Sequence, residues 1–357
     1  MSAKLSLDTY RLLGRSGLRV SPLSLGTMTF GSDWGWGANE ADSRRQFDAY
    51  VDRGGNFIDT ASNYTNGTSE QLVGKFSAEK RERLVLATKY TMSRRPDDPN
   101  AGGNHRKSMV RSVEQSLVRL KTDYIDLLYL HVWDELTPVE EVLRAMDDLV
   151  RSGKVLYLGI SDTPAWQISR MQTIADLRGW APLVALQIEY SLLERTVERE
   201  LIPMAKELGL GVLPWSPLAG GVLTGKYSKT DLGGPTNGAS VTGSRKTITL
   251  AKGSLSERGL AIAEAVKEVA ARIERTPAQV AIAWTLQNPT VVAPIIGART
   301  FEQLEDNLKA LEVEFPADAL AKLQEASAIE LGFPHDFLQL PTLRGGVFGN
   351  VKISPRR

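Results

Sequence analysis

Eight short apolar runs recur along the chain with helical patterns between them, and this alternation constrains the fold more than any other feature. The runs are Leu23–Met28, Phe57–Ala61, Leu84–Lys89, Ile125–His131, Val155–Ser161, Leu183–Tyr190, Gly211–Ser216 and Val291–Gly297. Apolar residues at helical spacing predict helices such as Ala41–Arg53, Arg106–Leu120, Pro138–Arg151, Pro164–Leu177 and Thr196–Leu208, most with glycine stop signals. A run as continuously apolar as Ile125–Leu130 suits a strand buried on both faces, the condition of a parallel sheet. Eight such units over 357 residues match an α/β protein of the (β/α)8, or TIM-barrel, class better than an open sheet. No Pro-, Gly- or Ser-rich linker divides the units, so residues 1–357 are expected to form a single barrel domain.

Three segments lie outside the repeat. Tyr10–Val20, turning at Gly14–Gly17, reads as an N-terminal hairpin. A long polar insertion, Tyr227–Ser256, contains Gly233–Gly238 and follows the seventh strand, where barrels carry functional and often mobile loops. The tail Gly332–Arg357, with Phe333, Phe337 and Phe348, is expected to lie over the barrel mouth.

Composition removes several classes of function. Lys and Arg total 43 against 42 for Asp and Glu, which provides no field for nucleic acid or an anionic membrane. The absence of Cys excludes disulfides, thiolate nucleophiles and iron–sulfur clusters, and three scattered histidines, His105, His131 and His335, do not form a metal-binding motif. No metal is expected. Met1–Gly17 lacks the apolar centre of a signal peptide, and no apolar run approaches the ~18 residues of a membrane span, so a cytoplasmic location is expected.

In a parallel barrel the C-terminal ends of the strands meet on one face, so polar residues there become neighbours. The second strand ends at Asp59 and leads to Tyr64, the third ends at Lys89 and the fourth at His131. A phenol of pKa about 10 is a poor acid at neutral pH unless a cation stabilises its phenolate. Lys89 would be that cation, with Asp59 as its carboxylate partner, while His131 would hydrogen-bond a substrate oxygen beside Tyr64. Singly, each has an ordinary alternative: a helix cap, a solvated lysine, a core histidine. A sugar-cleaving barrel would instead need two carboxylates flanking the bond.

The segments Gly54–Tyr64, Leu86–Lys89, Asp126–His131, Arg151–Val155, Gln187–Ser191 and Trp215–Gly221 together resemble the aldo-keto reductase family, particularly its bacterial and aryl-alcohol-dehydrogenase-like branches. The likeness covers almost the whole chain. It implies an NADPH-dependent oxidoreductase, with NADH the lesser alternative, that interconverts aldehydes or ketones and alcohols. Its partners would be small carbonyl or alcohol molecules, with neither nucleic acid nor membrane. Asp59, Tyr64, Lys89 and His131 fall on the family's catalytic tetrad, with Tyr64 as proton donor. Some relatives of this fold serve as redox-sensing channel partners, and the complete tetrad speaks against that role.

The resemblance also implies a cofactor path. Gly26, Thr27 and Met28 would lie beside the nicotinamide ribose, with Asp59 nearby, and Ser161, Asp162 and Gln187 would hold the carboxamide. Asp162 replaces the commoner Asn; ionised, it only accepts hydrogen bonds, and its alternative role is a cap ahead of Pro164. Trp215 would stack on the nicotinamide, a core tryptophan being the alternative. Ser216, Pro217, Leu218, Gly220 and Lys226 would wrap the pyrophosphate. Past the eighth strand, Gly297 and Arg299 would meet the 2'-phosphate end, and Gln303 and Asn307 the adenine. Four aromatics, Trp34, Trp36, Tyr90 and Trp133, stand close enough to the inferred mouth to be read as the substrate wall.

Overall fold

The computed structural model describes residues 5–232, 245–349 and 351–352, so Gly233–Gly238 of the insertion lies outside the described residues. The expected hairpin forms from antiparallel β1 (Arg11–Leu12) and β2 (Arg19–Val20). The eight apolar runs become β3 (Ser24–Gly26), β4 (Phe57–Asp59), β5 (Val85–Tyr90), β6 (Ile125–Leu130), β7 (Val155–Ser161), β8 (Leu183–Glu189), β9 (Gly211–Trp215) and β10 (Ile295–Ile296). These strands pair in parallel in the order β10-β3-β4-β5-β6-β7-β8-β9. An isolated bridge between Val212 and Val291 brings the two ends together, with Val292 N donating to Val212 O at 2.8 Å. The architecture is a (β/α)8 barrel.

Side chains alternate along each strand, so successive residues serve different layers. Phe57, Ala87, Tyr129, Ala185 and Leu213 fill the barrel interior, whereas Ile58, Leu86, Leu128, Ile160 and Leu186 pack outward under the helices. Each fully buried Leu, Ile or Phe side chain contributes about 1.5–3 kcal/mol, and the alanines less. Leu13 and Val20 of the hairpin join the interior cluster and plug the bottom of the barrel. The plug depends on Gly14, whose φ is +55° and where a Cβ would sit 2.3 Å from Val184 O. No other residue fits there without displacing backbone.

The outer layer contains α1 (Glu40–Asp52), α2 (Thr68–Ser77), α3 (Arg106–Leu120), α4 (Val139–Arg151), α5 (Ala165–Arg178) and α6 (Leu201–Leu208). The expected helix over Thr196–Leu208 divides into a 3-10 turn at Thr196–Glu198 and α6. Pro203 explains the break, because proline is tolerated in a first helical turn but would remove a hydrogen bond from the interior of a longer helix. After the insertion come α7 (Arg245–Ala251), α8 (Glu257–Arg272), α9 (Pro277–Thr285), α10 (Phe301–Leu308) and α11 (Ala317–Ala326). Ser256 caps α8, and a capping box of Thr276 and Gln279 starts α9. The tail carries α12 (His335–Leu338) and α13 (Pro341–Phe348); His335 Nε2 lies 3.0 Å from Glu200 Oε1 at the start of α6, and Phe333 is 84% exposed. Among the described residues no helix is long and apolar enough to cross a membrane.

Tyr90 is the first correction to the sequence reading. Being next to inward-facing Lys89, it points to the opposite face of β5 and is fully buried under the helices, with its Oη donating to Asn104 O at 3.3 Å. It forms no part of a wall at the mouth.

Candidate active site

Asp59 ends β4 and Lys89 is the penultimate residue of β5, both facing the barrel axis, and His131 directly follows β6. Tyr64 reaches them from a 3-10 turn, Tyr64–Gly67, in which Thr65 (φ 44°) and Asn66 (φ 55°) adopt left-handed backbone. Such residues cost about 1 kcal/mol or more each and persist only where their surroundings enforce them. Here the enforcement is a set of buried hydroxyls: Thr65 Oγ1 donates to Phe30 O at 2.7 Å, and Ser69 Oγ donates to Thr27 O at 2.8 Å and lies 2.9 Å from Thr60 Oγ1. The turn carrying Tyr64 is thereby bound to the ends of β3 and β4.

Lys89 is fully buried, and its Nζ donates to Asp59 Oδ1 at 2.5 Å, Thr60 O at 2.8 Å and Tyr64 Oη at 3.2 Å. The other Asp59 oxygen accepts from Gln187 Nε2 at 2.9 Å. Burial alone would lower the lysine pKa, but Asp59 and Tyr64 hold it above the ordinary value, so it is charged at neutral pH. Burial raises the Tyr64 phenol above its usual value while Lys89 pulls it back, so the phenol is protonated. The His131 ring lies 6.0 Å from that of Tyr64 at 76°, and burial followed by repulsion from Lys89 pushes its pKa down to about 3. It is a neutral imidazole. Its Nδ1 is buried without a hydrogen-bond partner among the described residues.

On the expected cofactor path, Gly26 ends β3 where a Cβ would sit 2.7 Å from Ile295 Cγ2, and Met28 is half-buried at the mouth. Thr27 is corrected: it is fully buried, its Oγ1 donates to Asp59 O at 2.9 Å and its carbonyl accepts from Ser69, so it supports the cleft without lining it. Ser161 is buried with no partner for its Oγ among the described residues. Asp162 is not a helix cap, since Pro164 occupies that place in α5; its Oδ1 accepts from Trp215 Nε1 at 3.0 Å. Trp215 is half-exposed, not a core tryptophan, with Lys252 Nζ 4.3 Å from its ring and 3.3 Å from Glu189 Oε2.

Beyond β9, Ser216 and Gly220 have φ of 56° and 64°, Pro217 is buried, and Leu218 leads into the 3-10 turn Ala219–Thr224. Lys226 is exposed, packs against Gly221 and lies 4.9 Å from the Tyr227 ring. Past β10, Gly297 and Arg299 are exposed, and among the described residues the Arg299 guanidinium has no carboxylate partner. Gln303 Oε1 accepts from Arg299 N at 2.9 Å and so braces the start of α10, while Asn307 is buried with Nδ2 3.4 Å from Gly297 O.

Trp34 stands edge-on to Tyr64 with ring centroids 6.4 Å apart, and Trp36 packs on Trp34 at 5.5 Å. These two belong to the mouth. Trp133 is half-buried against the hydrophobic core and its N donates to Asp162 O at 3.3 Å. Two features beyond the sequence reading are the Ser69 hydroxyl bridge and the Glu189–Lys252 pair. Alternation from Gln187 already assigns Glu189 to the inner face of β8, whereas nothing local marks Lys252 within its polar segment.

Fold and site together define a parallel barrel with a buried, carboxylate-paired lysine beneath a tyrosine at its mouth. The sequence pattern of the aldo/keto reductase family matches residues 22–328, and the chain belongs to that family. It is therefore an oxidoreductase. Among its relatives, norsolorinic acid reductase of Aspergillus flavus is 37% identical, over 94% of this chain and 86% of its own. An uncharacterized oxidoreductase of Bacillus subtilis is 40% identical over 88% of this chain and 95% of its own. Aryl-alcohol dehydrogenase [NADP(+)] of Phanerodontia chrysosporium is 35% identical over 89% and 86%.

Proposed function

We propose that this chain is an NADPH-dependent reductase of aldehydes and ketones, working reversibly, in which Tyr64 supplies the proton. The observation that carries this reading is the fully buried Lys89 ammonium, held between Asp59 at 2.5 Å and the Tyr64 hydroxyl at 3.2 Å. Tyr64 begins as a protonated phenol, and the phenolate left after transfer faces a cation that needs no reorganisation to receive it. Asp59 keeps that cation in place. Neutral His131, beside Tyr64, would orient the substrate oxygen without competing as an acid. We read the whole chain as one barrel unit serving this site.

The residues present fit a nicotinamide dinucleotide. Ser161 offers a buried hydroxyl with no partner, Trp215 an accessible ring, and Arg299 an exposed guanidinium beside the capped start of α10. Ser161, Asp162 and Gln187 would hold the carboxamide, Met28 and Trp215 would flank the ring, Ser216–Lys226 would wrap the pyrophosphate, and Arg299 would meet the 2'-phosphate. When bound, the reduced nicotinamide supplies hydride to the carbonyl carbon. The name of one relative includes NADP(+), which supports this coenzyme. Trp34 and Trp36 beside Tyr64 favour flat, bulky carbonyl compounds or the corresponding alcohols, in keeping with relatives named for norsolorinic acid and aryl alcohols.

The test is Tyr64→Phe, assayed by loss of reduced-nicotinamide absorbance over a carbonyl panel with NADPH and NADH. Reduction should fall about 10²- to 10⁴-fold while NADPH still quenches tryptophan fluorescence. A near wild-type rate would remove Tyr64 from the mechanism.

A further inference from the structure

Between the end of β5 and α3, beside the turn that carries Tyr64, a small pocket is lined by Arg94, Arg95, Arg111, Ser62 and Ser108. Its charges do not balance. Asp98 is shared, 3.1 Å from Arg95 and 3.4 Å from Arg111, and Arg94 has no carboxylate of its own among the described residues. The nearby Glu70 is already paired with Arg119 at 2.6 Å and accepts from Thr88 Oγ1 at 2.6 Å. Among the described residues three guanidinium groups thus face one paired carboxylate, Asp98. Burial, and then repulsion from Arg119, lower the Arg94 pKa.

The hydroxyls supply an independent observation. Ser62 and Ser108 are each 3% exposed and line this same pocket, and among the described residues neither Oγ has a hydrogen-bond partner. The Ser62 backbone N–H donates to Lys89 O at 3.1 Å, and that of Ser108 to His105 Nδ1 at 3.2 Å. Two hydroxyl residues lining the pocket below a surplus of planar cationic forks form the donor set that a carboxylate or phosphoryl group completes.

We propose that this pocket is an oxyanion-binding site, taking the carboxylate or phosphate of a small molecule at the rim of the mouth. It is separate from the cofactor path, which runs from β3 and β7 to Lys226 and Arg299. Arg94 Nη2 also donates to Asn66 O, and its guanidinium packs against Gly67, so the bound anion would touch the group that braces the Tyr64 turn. The oxyanion could belong to a free ion or to one arm of the carbonyl substrate; the two sources separate experimentally.

The first arm is calorimetric titration of the full chain with inorganic phosphate at constant ionic strength, in saturating NADP+ so that any coenzyme phosphate site is filled. Saturable binding is expected, weakened about tenfold or more in Arg94→Gln and in Arg111→Gln. This arm reads no turnover, so it stands or falls apart from the reductase assignment. The second arm compares kcat/KM for 4-carboxybenzaldehyde and benzaldehyde. If the oxyanion is a substrate arm, Arg111→Gln lowers the ratio of the two about tenfold through KM, leaving benzaldehyde unchanged. If it is a free ion, the ratio stays constant while phosphate binding is lost. Absence of saturable phosphate binding together with an unchanged ratio in both variants overturns the proposal.

Discussion

Replacing Lys89 by Met should separate what the buried ion pair does for stability from what it does for chemistry. In the wild type, Lys89 Nζ satisfies Asp59, Thr60 O and Tyr64 Oη, and the pair is 0% and 2% exposed. Met fills a similar volume but leaves the Asp59 carboxylate in the barrel with a single side-chain donor, Gln187 Nε2 at 2.9 Å. Removing one member of a buried pair costs about 3–5 kcal/mol, because the other charge remains desolvated. Adding Asp59→Asn removes that charge, and the double variant should regain most of the loss, leaving about 1–2 kcal/mol for the unsatisfied Thr60 carbonyl. Carbonyl reduction should behave differently. It should fall steeply in Lys89→Met, with a shifted pH profile, and stay low in the double variant, because neither change restores a cation to Tyr64; Asp59→Asn alone should do less. Urea denaturation gives the stabilities, and reduced-nicotinamide absorbance gives the rates. Recovery of both stability and rate in the double variant would show that Lys89 matters only as scaffold.

Arg299→Ala should weaken NADPH binding by about 1.5–3 kcal/mol and change NADH binding little, and added salt should weaken wild-type NADPH binding more than NADH binding; fluorescence titrations with both coenzymes decide, and equal losses would make Arg299 structural. His131, with its folded pKa near 3 below the unfolded value of about 6.5, takes up a proton more readily when unfolded, so stability should decline as pH falls from about 6.5 towards 3. An imidazole NMR titration with a midpoint near 6.5 in the folded protein would contradict this. Gly14→Ala should cost about 2–4 kcal/mol, since its Cβ would meet Val184 O at 2.3 Å on a left-handed backbone; an unchanged urea midpoint would show that the hairpin can move away from the barrel.

The barrel and the placement of its candidate site residues were legible because both follow from simple periods. Alternation puts Asp59, Lys89 and Ser161 on the inner face of their strands, and a parallel barrel makes those ends neighbours. The same rule assigns Tyr90 and Thr27 to the other face, so nearness to the mouth in sequence was the misleading signal there. The contacts of Ser69 with Thr27 and Thr60 were not legible, since they span 42 and 9 residues and arise only when α2 docks on two strand ends. Gln303 shows a different ambiguity. Its spacing after Thr300 is that of a capping pair, and in the structure the side chain is engaged at its own helix start, on the stretch where the family resemblance suggests an adenine contact.

The ring of strands is uneven. β6 and β7 align through five register pairs and β8 and β9 through another five, but among the described residues β9 meets the chain before β10 at one bridge, Val212 with Val291, flanked by the bonds Val212 N to Thr290 O and Val292 N to Val212 O, and β10 itself is two residues long. This thin seam is also the one spanned by the longest excursion of the chain, from Trp215 through α7, α8 and α9 to Ile295. Trp215 stands on one lip and Arg299 just past the other. A single extended molecule gripped at both, as proposed above, would span this thin seam and stabilise the folded barrel by mass action.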